Sequence, residues 1–176
     1  DTLLATTGRF ESGYDSIHVV AHSMGSVVAR RALREEVERE ETSEKRSDWG
    51  VDSRATFYAP ADGGIKTLEL IKQIGGILNL IRVSAIGNYP CLAEIEDDSS
   101  PLLRDLRRWW RETSGDERVS EFVACKVLAE NDTVVRPTKW EGDPEIGQIR
   151  ECNHRTVCKP SGSFTEPVEV LIQCYQ

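Results

Sequence analysis

Ser23 has the sequence context of a nucleophile. It lies within residues 19–26 (VVAHSMGS), where a β-branched run ends and a helical pattern begins. A sharp turn from strand to helix lifts a serine Oγ clear of the chain, and it requires small residues two positions before and two positions after the serine. Ala21 and Gly25 meet this requirement. The alternative interpretation is that Ser23 only caps the helix.

A serine hydroxyl is a poor nucleophile unless a base lies within hydrogen-bond reach and a third group orients that base. The sequence contains three histidines. His18 lies within the predicted strand and His22 is adjacent to Ser23, so neither is well placed to turn back onto Oγ. His154, in a polar segment typical of a loop, is therefore the candidate base. The alternative is that His154 is an ordinary surface histidine.

The group that orients the base should be a carboxylate at the carboxyl end of a strand, where open α/β sheets carry their sites. Asp132 follows a strongly apolar predicted strand and is the first choice, although Asn131-Asp132 is also a turn signal. Glu130 and Asp143 are the alternatives. The chain order Ser, Asp, His is one of three common orders among serine hydrolases.

The hydrophobic patterns that must position these residues alternate between strand and helix. Strands are predicted at 16–20, 55–59, 122–129 and 146–151. Helices are predicted at 24–40, 65–82 with an interruption at Gly75-Gly76, from a Ser100 cap and Pro101 through Trp110, and at 165–175. On the first helix, the apolar side is predicted to comprise Val27, Val28, Arg31, Ala32 and Val37. The predicted fold class is α/β, with a mostly parallel sheet and crossover helices.

Composition limits the function classes. The 176 residues suit a single domain spanning 1–176, and the formal charge of −8 argues against nucleic acid as a partner. No apolar run is long enough to span a membrane. The five cysteines are scattered along the chain, at positions 91, 125, 152, 158 and 174, and their spacing is not that of a zinc site. This pattern predicts reduced thiols, which favours a reducing, cytoplasmic compartment.

Three segments together resemble the α/β-hydrolase superfamily. Residues 21–25 (AHSMG) look like the elbow of its lipases and serine esterases, residues 132–137 (DTVVRP) like its acid loop, and residues 153–160 (NHRTVCKP) like its histidine segment. The elbow and the His-x-x-x-Cys-Lys-Pro tail are more narrowly similar to the lipase-like serine esterases that include the SERAC and PGAP groups. The resemblance implies that the fold is the C-terminal half of an α/β hydrolase. Residues 65–118 resemble the variable cap region; the alternative is an ordinary helix packed on the sheet.

The resemblance implies a chemistry for each site residue. Ser23 would attack an ester, His154 would serve as base and then acid, and Asp132 would orient the imidazole. The Met24 N–H would be one donor to the oxyanion. The implied substrate is a small-molecule or lipid ester, and neither a metal nor an organic cofactor is implied. Two alternatives stay open: an acyltransferase with the same three residues, and a non-catalytic interaction domain on a degenerate hydrolase fold.

The sequence departs from this family in two ways. Ala21 and Ser26 stand where glycines are frequent, but both are small enough for the elbow. Family members also have four strands before the nucleophile strand and a second oxyanion donor among them, whereas about fifteen residues precede the strand here. Because the strand would then be an exposed apolar edge, we expect a fragment, or self-association that completes the sheet.

Overall fold

The strands and helices alternate along the chain in the computed structural model, which describes residues 17–40, 53–66, 69, 94–95, 99–120, 122–136, 138, 140 and 142–175. The elements are β1 (Ile17–His22), α1 (Gly25–Glu40), β2 (Ser53–Tyr58), α2 (Pro101–Glu112), α3 (Glu117–Ser120), β3 (Val123–Ala129), β4 (Glu145–Ile149) and α4 (Glu166–Tyr175). All four predicted strands are therefore present.

The four strands form one sheet in the order β1-β2-β3-β4, and each neighbouring pair is parallel. Parallel neighbours need a crossover connection, and α1 lies between β1 and β2 in the chain as α2 and α3 lie between β2 and β3. The predicted α/β class is confirmed. Within the described part of the chain, every helix is too short or too polar to cross a membrane.

Both faces of the central strands are covered, since the successive residues 55–58 of β2 are all buried. Ala55 and Phe57 of β2 and Ala124 and Val127 of β3 are all buried, as expected for strands of a parallel sheet with helices packed on it. Among the described strands, β1 lies at one edge, and its Val20 is 53% exposed. Strand β1 also extends beyond its predicted end at Val20, because its pairing with β2 continues to His22.

The face of α1 that packs on the sheet differs from the predicted one. The prediction that Val28 and Arg31 belong to it was wrong, because both are exposed. The buried face instead contains Arg30 and Leu33, with further members at Ser26, Val27, Glu36 and Val37. This set follows the spacing of three and four residues that places side chains on one side of a helix. An arginine therefore occupies a buried position of α1, where a charged side chain is not expected.

The start of α2 follows the predicted capping pattern. The Ser100 Oγ accepts a hydrogen bond from the Leu103 N–H at 3.2 Å, and Pro101 occupies the first turn, where its missing N–H costs nothing. Leu103, Leu106 and Trp110 of this helix are buried in the same core as the sheet. The predicted cap and helix start are confirmed.

Three further predictions have different outcomes. The ambiguous segment 165–175 is helical, as α4. Ile65 forms an isolated antiparallel bridge with Val135, and most of the helix predicted at 65–82 lies outside the described residues, as does Cys91. The other four cysteines are free thiols.

Candidate active site

The turn between β1 and α1 holds Ser23 in an unusual backbone conformation. Its φ is +56°, in the left-handed region that non-glycine residues rarely adopt, and surrounding hydrogen bonds hold it there. The Ser23 N–H donates to the Tyr58 carbonyl at 3.0 Å, and the Ser23 carbonyl accepts from the Ala61 N–H at 3.2 Å. A Cβ at Gly25 would lie 3.2 Å from the Ala21 Cβ. This close approach is consistent with the predicted need for small residues at positions 21 and 25.

The structure brings Ser23, His154 and Asp132 together, and we call these three residues the site cluster. The His154 Nε2 lies 2.9 Å from the Ser23 Oγ, and its Nδ1 lies 2.9 Å from the Asp132 Oδ2. An ionised carboxylate can only accept a hydrogen bond, so the network assigns the proton to Nδ1. The Nε2 of His154 is then free to accept the Ser23 hydroxyl proton.

The Asp132 carboxylate has acceptor bonds on both oxygens. While Oδ2 faces His154, Oδ1 accepts from the Val134 N–H at 2.8 Å and the Val135 N–H at 3.1 Å. Burial by itself would raise the pKa of Asp132, but the hydrogen bond from His154 and those from the two backbone groups outweigh it. The pKa of Asp132 therefore lies below its usual value, and the carboxylate is ionised at neutral pH.

Sheet topology explains why residues so distant in sequence meet. Ser23 directly follows β1, Asp132 follows the end of β3 and His154 follows the end of β4. Because all four strands are parallel, their carboxyl ends lie at the same edge of the sheet, where α/β folds carry their sites. The loops after β3 and β4 are also joined directly, by a 3.0 Å hydrogen bond from the Asn131 N–H to the Cys152 carbonyl.

The other candidates from the sequence lie elsewhere. The Glu130 Oε2 accepts from the Glu151 N–H, and the Asp143 carboxylate is paired with Arg30 and Lys126. The structure thus places Asp132, rather than either alternative, against His154. The His18 Nε2 lies 2.9 Å from the Thr56 Oγ1, between the first two strands. His154 itself is only 2% exposed, so it is not an ordinary surface histidine.

Met24 lies at the amino end of α1. Its carbonyl accepts from the Val28 N–H at 3.1 Å, which makes it part of the first turn. Amide groups in that turn lack a partner within the helix, and no described residue accepts a hydrogen bond from the Met24 N–H. This N–H and the positive end of the helix dipole favour a negative charge beside Ser23.

Two polar residues to which the sequence analysis gave no bonding role, Ser26 and Asp62, support the turn by hydrogen bonds. The Ser26 Oγ lies 2.9 Å from the Ser23 carbonyl oxygen and 3.0 Å from the Asp62 Oδ1, and both Ser26 and Asp62 are fully buried. Nothing in the local pattern around Asp62 marks it as more than part of a tight turn. Its position in the turn that follows β2, the neighbour of β1 in the sheet, is the signal that topology supplies.

A large groove lies away from the site cluster. It has a volume of about 1060 Å³, runs along α2, and is lined by basic side chains that include Arg104, Arg108 and Arg111. No residue of the site cluster is among those that line it.

Comparisons with known proteins give no family: no protein-family model matches the sequence, and no curated protein matches it significantly.

Proposed function

We propose that this protein is a serine hydrolase that cleaves an ester by acyl transfer to water, with the fold and chemistry of a lipase-like α/β hydrolase. The observation that carries the proposal is the unbroken line of hydrogen bonds from Asp132 through His154 to Ser23, with both links at 2.9 Å. Nucleophile, base and orienting carboxylate in this geometry are the parts that acyl transfer requires.

In the first half of the reaction, the Ser23 Oγ attacks the acyl carbon while its proton passes to the His154 Nε2. The ester C–O bond then breaks, and the departing alcohol takes that proton from His154. Asp132 remains ionised throughout and stabilises the imidazolium that forms, which fits its lowered pKa. The Met24 N–H is one donor to the oxyanion, and the loss of a single such donor typically costs about 2.7–4 kcal/mol in a hydrolase.

In the second half, water attacks the acyl group on Ser23. His154 again accepts a proton, now from the water, and returns it to the Ser23 oxygen as the carboxylic acid leaves. An alcohol, amine or thiol in place of water would make the protein an acyltransferase with the same residues. Analysis of the products formed with such acceptors present distinguishes the two reactions.

The substrate class we propose is a small-molecule or lipid ester. Ser23 is partly exposed whereas the imidazole behind it is buried, so an acyl carbon has access to the Oγ from solvent while the base is protected from it. A burial pattern of this kind suits a reaction in which the nucleophile must meet the substrate and the base must meet only the nucleophile.

A fluorophosphonate probe tests the proposal because it reacts covalently with activated serines. We expect the purified protein to be labelled, and we expect labelling to be lost in Ser23→Ala and in His154→Ala. Matched controls are Ser114→Ala, an exposed serine whose Oγ bonds the Arg111 carbonyl, and His18→Ala, a histidine away from the site. Both controls should keep the wild-type rate of labelling.

Circular dichroism and cooperative unfolding establish that each variant is folded. A folded wild-type protein that resists labelling, or a Ser23→Ala variant that is labelled at the wild-type rate, would overturn the proposal. The first of these outcomes would favour the alternative of a non-catalytic interaction domain.

A further inference from the structure

His22, the residue directly before Ser23, contacts the base that is proposed to activate that serine. The His22 Nε2 lies 2.6 Å from the backbone carbonyl oxygen of His154. The centroids of the two imidazole rings are 4.7 Å apart, and the ring planes are tilted by 45°. Adjacency to Ser23 excludes His22 as the base, but it does not exclude a role that is exerted on His154.

The hydrogen bond from His22 connects two segments whose relative position sets the distance between His154 and Ser23. His154 lies in the loop after β4, where the Thr156 and Val157 N–H groups both donate to the Asn153 carbonyl at 3.1 Å. Those bonds shape the loop internally but do not tie it to Ser23. The bond from His22 does, because it joins the main chain of His154 to the residue that precedes the nucleophile.

His154 is therefore held through both its side chain and its main chain. Its side chain contacts Ser23 and Asp132, while its backbone carbonyl is held by the last residue of β1. A displacement of a base by about 1 Å can lower a rate by about 10²-fold, so a contact that fixes the distance between base and nucleophile has kinetic consequences. Rings packed against each other also limit rotation of the His154 side chain.

The protonation state of His22 suits this contact. Burial lowers the pKa of His22, although the hydrogen bond to the His154 carbonyl opposes that effect. A neutral ring with its single proton on Nε2 can donate to a carbonyl. A neutral neighbour also does not repel the positive charge that His154 acquires when it takes the serine proton.

We propose that His22 is a positioning residue: its Nε2–H donates to the His154 carbonyl and so keeps the His154 imidazole in place against the Ser23 hydroxyl. This proposal rests on the function proposed above. The groups that face His22 besides His154 are Asp132 and Lys159. An ionised Asp132 carboxylate has no proton to donate, and the described side chain that contacts the His154 carbonyl oxygen is that of His22, not that of Lys159.

Three substitutions of His22 separate the hydrogen bond from the bulk of the ring. His22→Phe keeps an aromatic ring and removes the donor. His22→Gln places an amide N–H near the position of Nε2, whereas His22→Asn carries the same amide on a side chain too short to reach. The Asn and Gln variants are matched in polarity, so this pair keeps the test decisive if the Phe variant does not fold.

The measurement is the rate of fluorophosphonate labelling as a function of probe concentration. We expect His22→Phe and His22→Asn to lower the maximal labelling rate by about 10²-fold, with the half-saturating probe concentration unchanged, and His22→Gln to restore most of the loss. A purely structural role of the ring would make Gln as slow as Asn. That result, or a wild-type rate in the Phe variant, would overturn the proposal.

A readout that does not depend on activity separates the two proposals. Long-range ¹H–¹⁵N spectra of the wild-type protein should show His22 as the tautomer protonated on Nε2, and protonation on Nδ1 alone would overturn the inferred bond. A wild-type protein without labelling at Ser23 would instead overturn the proposed function, and with it the kinetic role of His22.

Discussion

Two polar clusters lie side by side in this molecule: the site cluster, and a second group that we call the buried ion cluster, made of Arg30, Asp62, Lys126 and Asp143. Each combines basic and acidic side chains from distant parts of the chain. Only the site cluster includes residues that are partly exposed to solvent, Ser23 and Asp132. All four side chains of the buried ion cluster are 4% exposed or less.

Arg30 is the centre of the buried ion cluster. Its guanidinium contacts the Asp143 carboxylate and lies over three aromatic rings, at 5.1 Å from the centroid of Phe57, 4.6 Å from Trp110 and 4.3 Å from Trp140. Cation–π contacts are strongest when they are shielded from water, as they are here. They help to explain how a charge can occupy the buried face of α1.

The acidic and basic groups of this cluster balance. The Lys126 Nζ lies 3.1 Å from the Asp143 Oδ2 and 3.8 Å from the Asp62 Oδ2, and Arg30 lies 3.6 Å from the same Asp62 oxygen. Two cations therefore face two carboxylates. Burial nevertheless raises the pKa of Asp143, although both cations act in the opposite direction.

The difference between the two clusters shows how the surroundings of a carboxylate determine its pKa and its role. The pKa of Asp132 is lowered because its hydrogen bonds outweigh its burial, whereas the pKa of Asp143 is raised because burial dominates. The site cluster keeps one imidazole nitrogen free to accept a proton, while the buried ion cluster directs its charges at one another. Ser26 joins the two clusters, since its Oγ contacts both Ser23 and Asp62.

The largest effect is expected from Asp132→Asn, which should lower the rate of the proposed ester cleavage by about 10⁴-fold. The asparagine Oδ1 can still accept from Val134 and Val135, so the loop should stay folded, but its NH₂ faces the His154 Nδ1 and imposes the wrong tautomer. Ester turnover and labelling measure the loss, and chemical denaturation should show a stability change of only about 1 kcal/mol.

The matched control for that variant is Glu130→Gln, in the same loop but bonded to the Glu151 N–H. It should keep wild-type turnover. If Asp132→Asn reacts at the wild-type rate, or if Glu130→Gln is equally impaired, the assignment of the orienting carboxylate is wrong.

The second effect belongs to the buried ion cluster. Arg30→Met should lower the free energy of unfolding by about 3–5 kcal/mol, because it leaves two buried carboxylates facing Lys126 as their one remaining cation. Arg31→Met is the control on the same helix: its side chain is 57% exposed and pairs with Glu35, so it should cost less than about 1 kcal/mol. Urea denaturation measures both. Equal losses in the two variants would mean that the buried ion cluster does not stabilise the fold as inferred.

The two clusters also differ in how far the sequence predicts them. The spacing around Ser23, the scarcity of histidines and the position of Asp132 after an apolar strand are local signals, and together they predicted residues that the structure brings within hydrogen-bond distance. The parallel sheet followed from the alternation of strand and helix patterns. The cap at Ser100 was predicted for the same reason, because its determinants lie within four residues.

No local signal predicted the environment of Arg30. Its three aromatic neighbours come from β2, α2 and the segment after β3, so the pocket exists only once the sheet has formed. The same limit applies to α1, where Val28 has a core-like side chain on the exposed face while Arg30 has a surface-like one on the buried face. The hydrophobic pattern of a helix cannot identify a buried charged residue whose partners come from other elements of the fold.

The smallest expected effect is a change in the free energy of unfolding at acid pH. It tests whether the pKa of Asp132 is lowered by the site cluster itself. A carboxyl whose folded pKa lies below its unfolded value, near ~3.9, adds stability above that value and loses it as the pH falls through the folded pKa. Asparagine does not titrate. The difference in unfolding free energy between wild type and Asp132→Asn should therefore shrink as the pH falls below the unfolded pKa and through the lower folded pKa.

Urea denaturation at a series of pH values measures this difference, and the narrowing should be smaller than the loss expected for Arg30→Met. The control repeats the pair in a His154→Ala background. Because the hydrogen bond from His154 is the largest influence that lowers the pKa of Asp132, the narrowing should be weaker there. Identical narrowing in both backgrounds would show that the backbone N–H groups of Val134 and Val135, rather than the imidazole, keep Asp132 ionised.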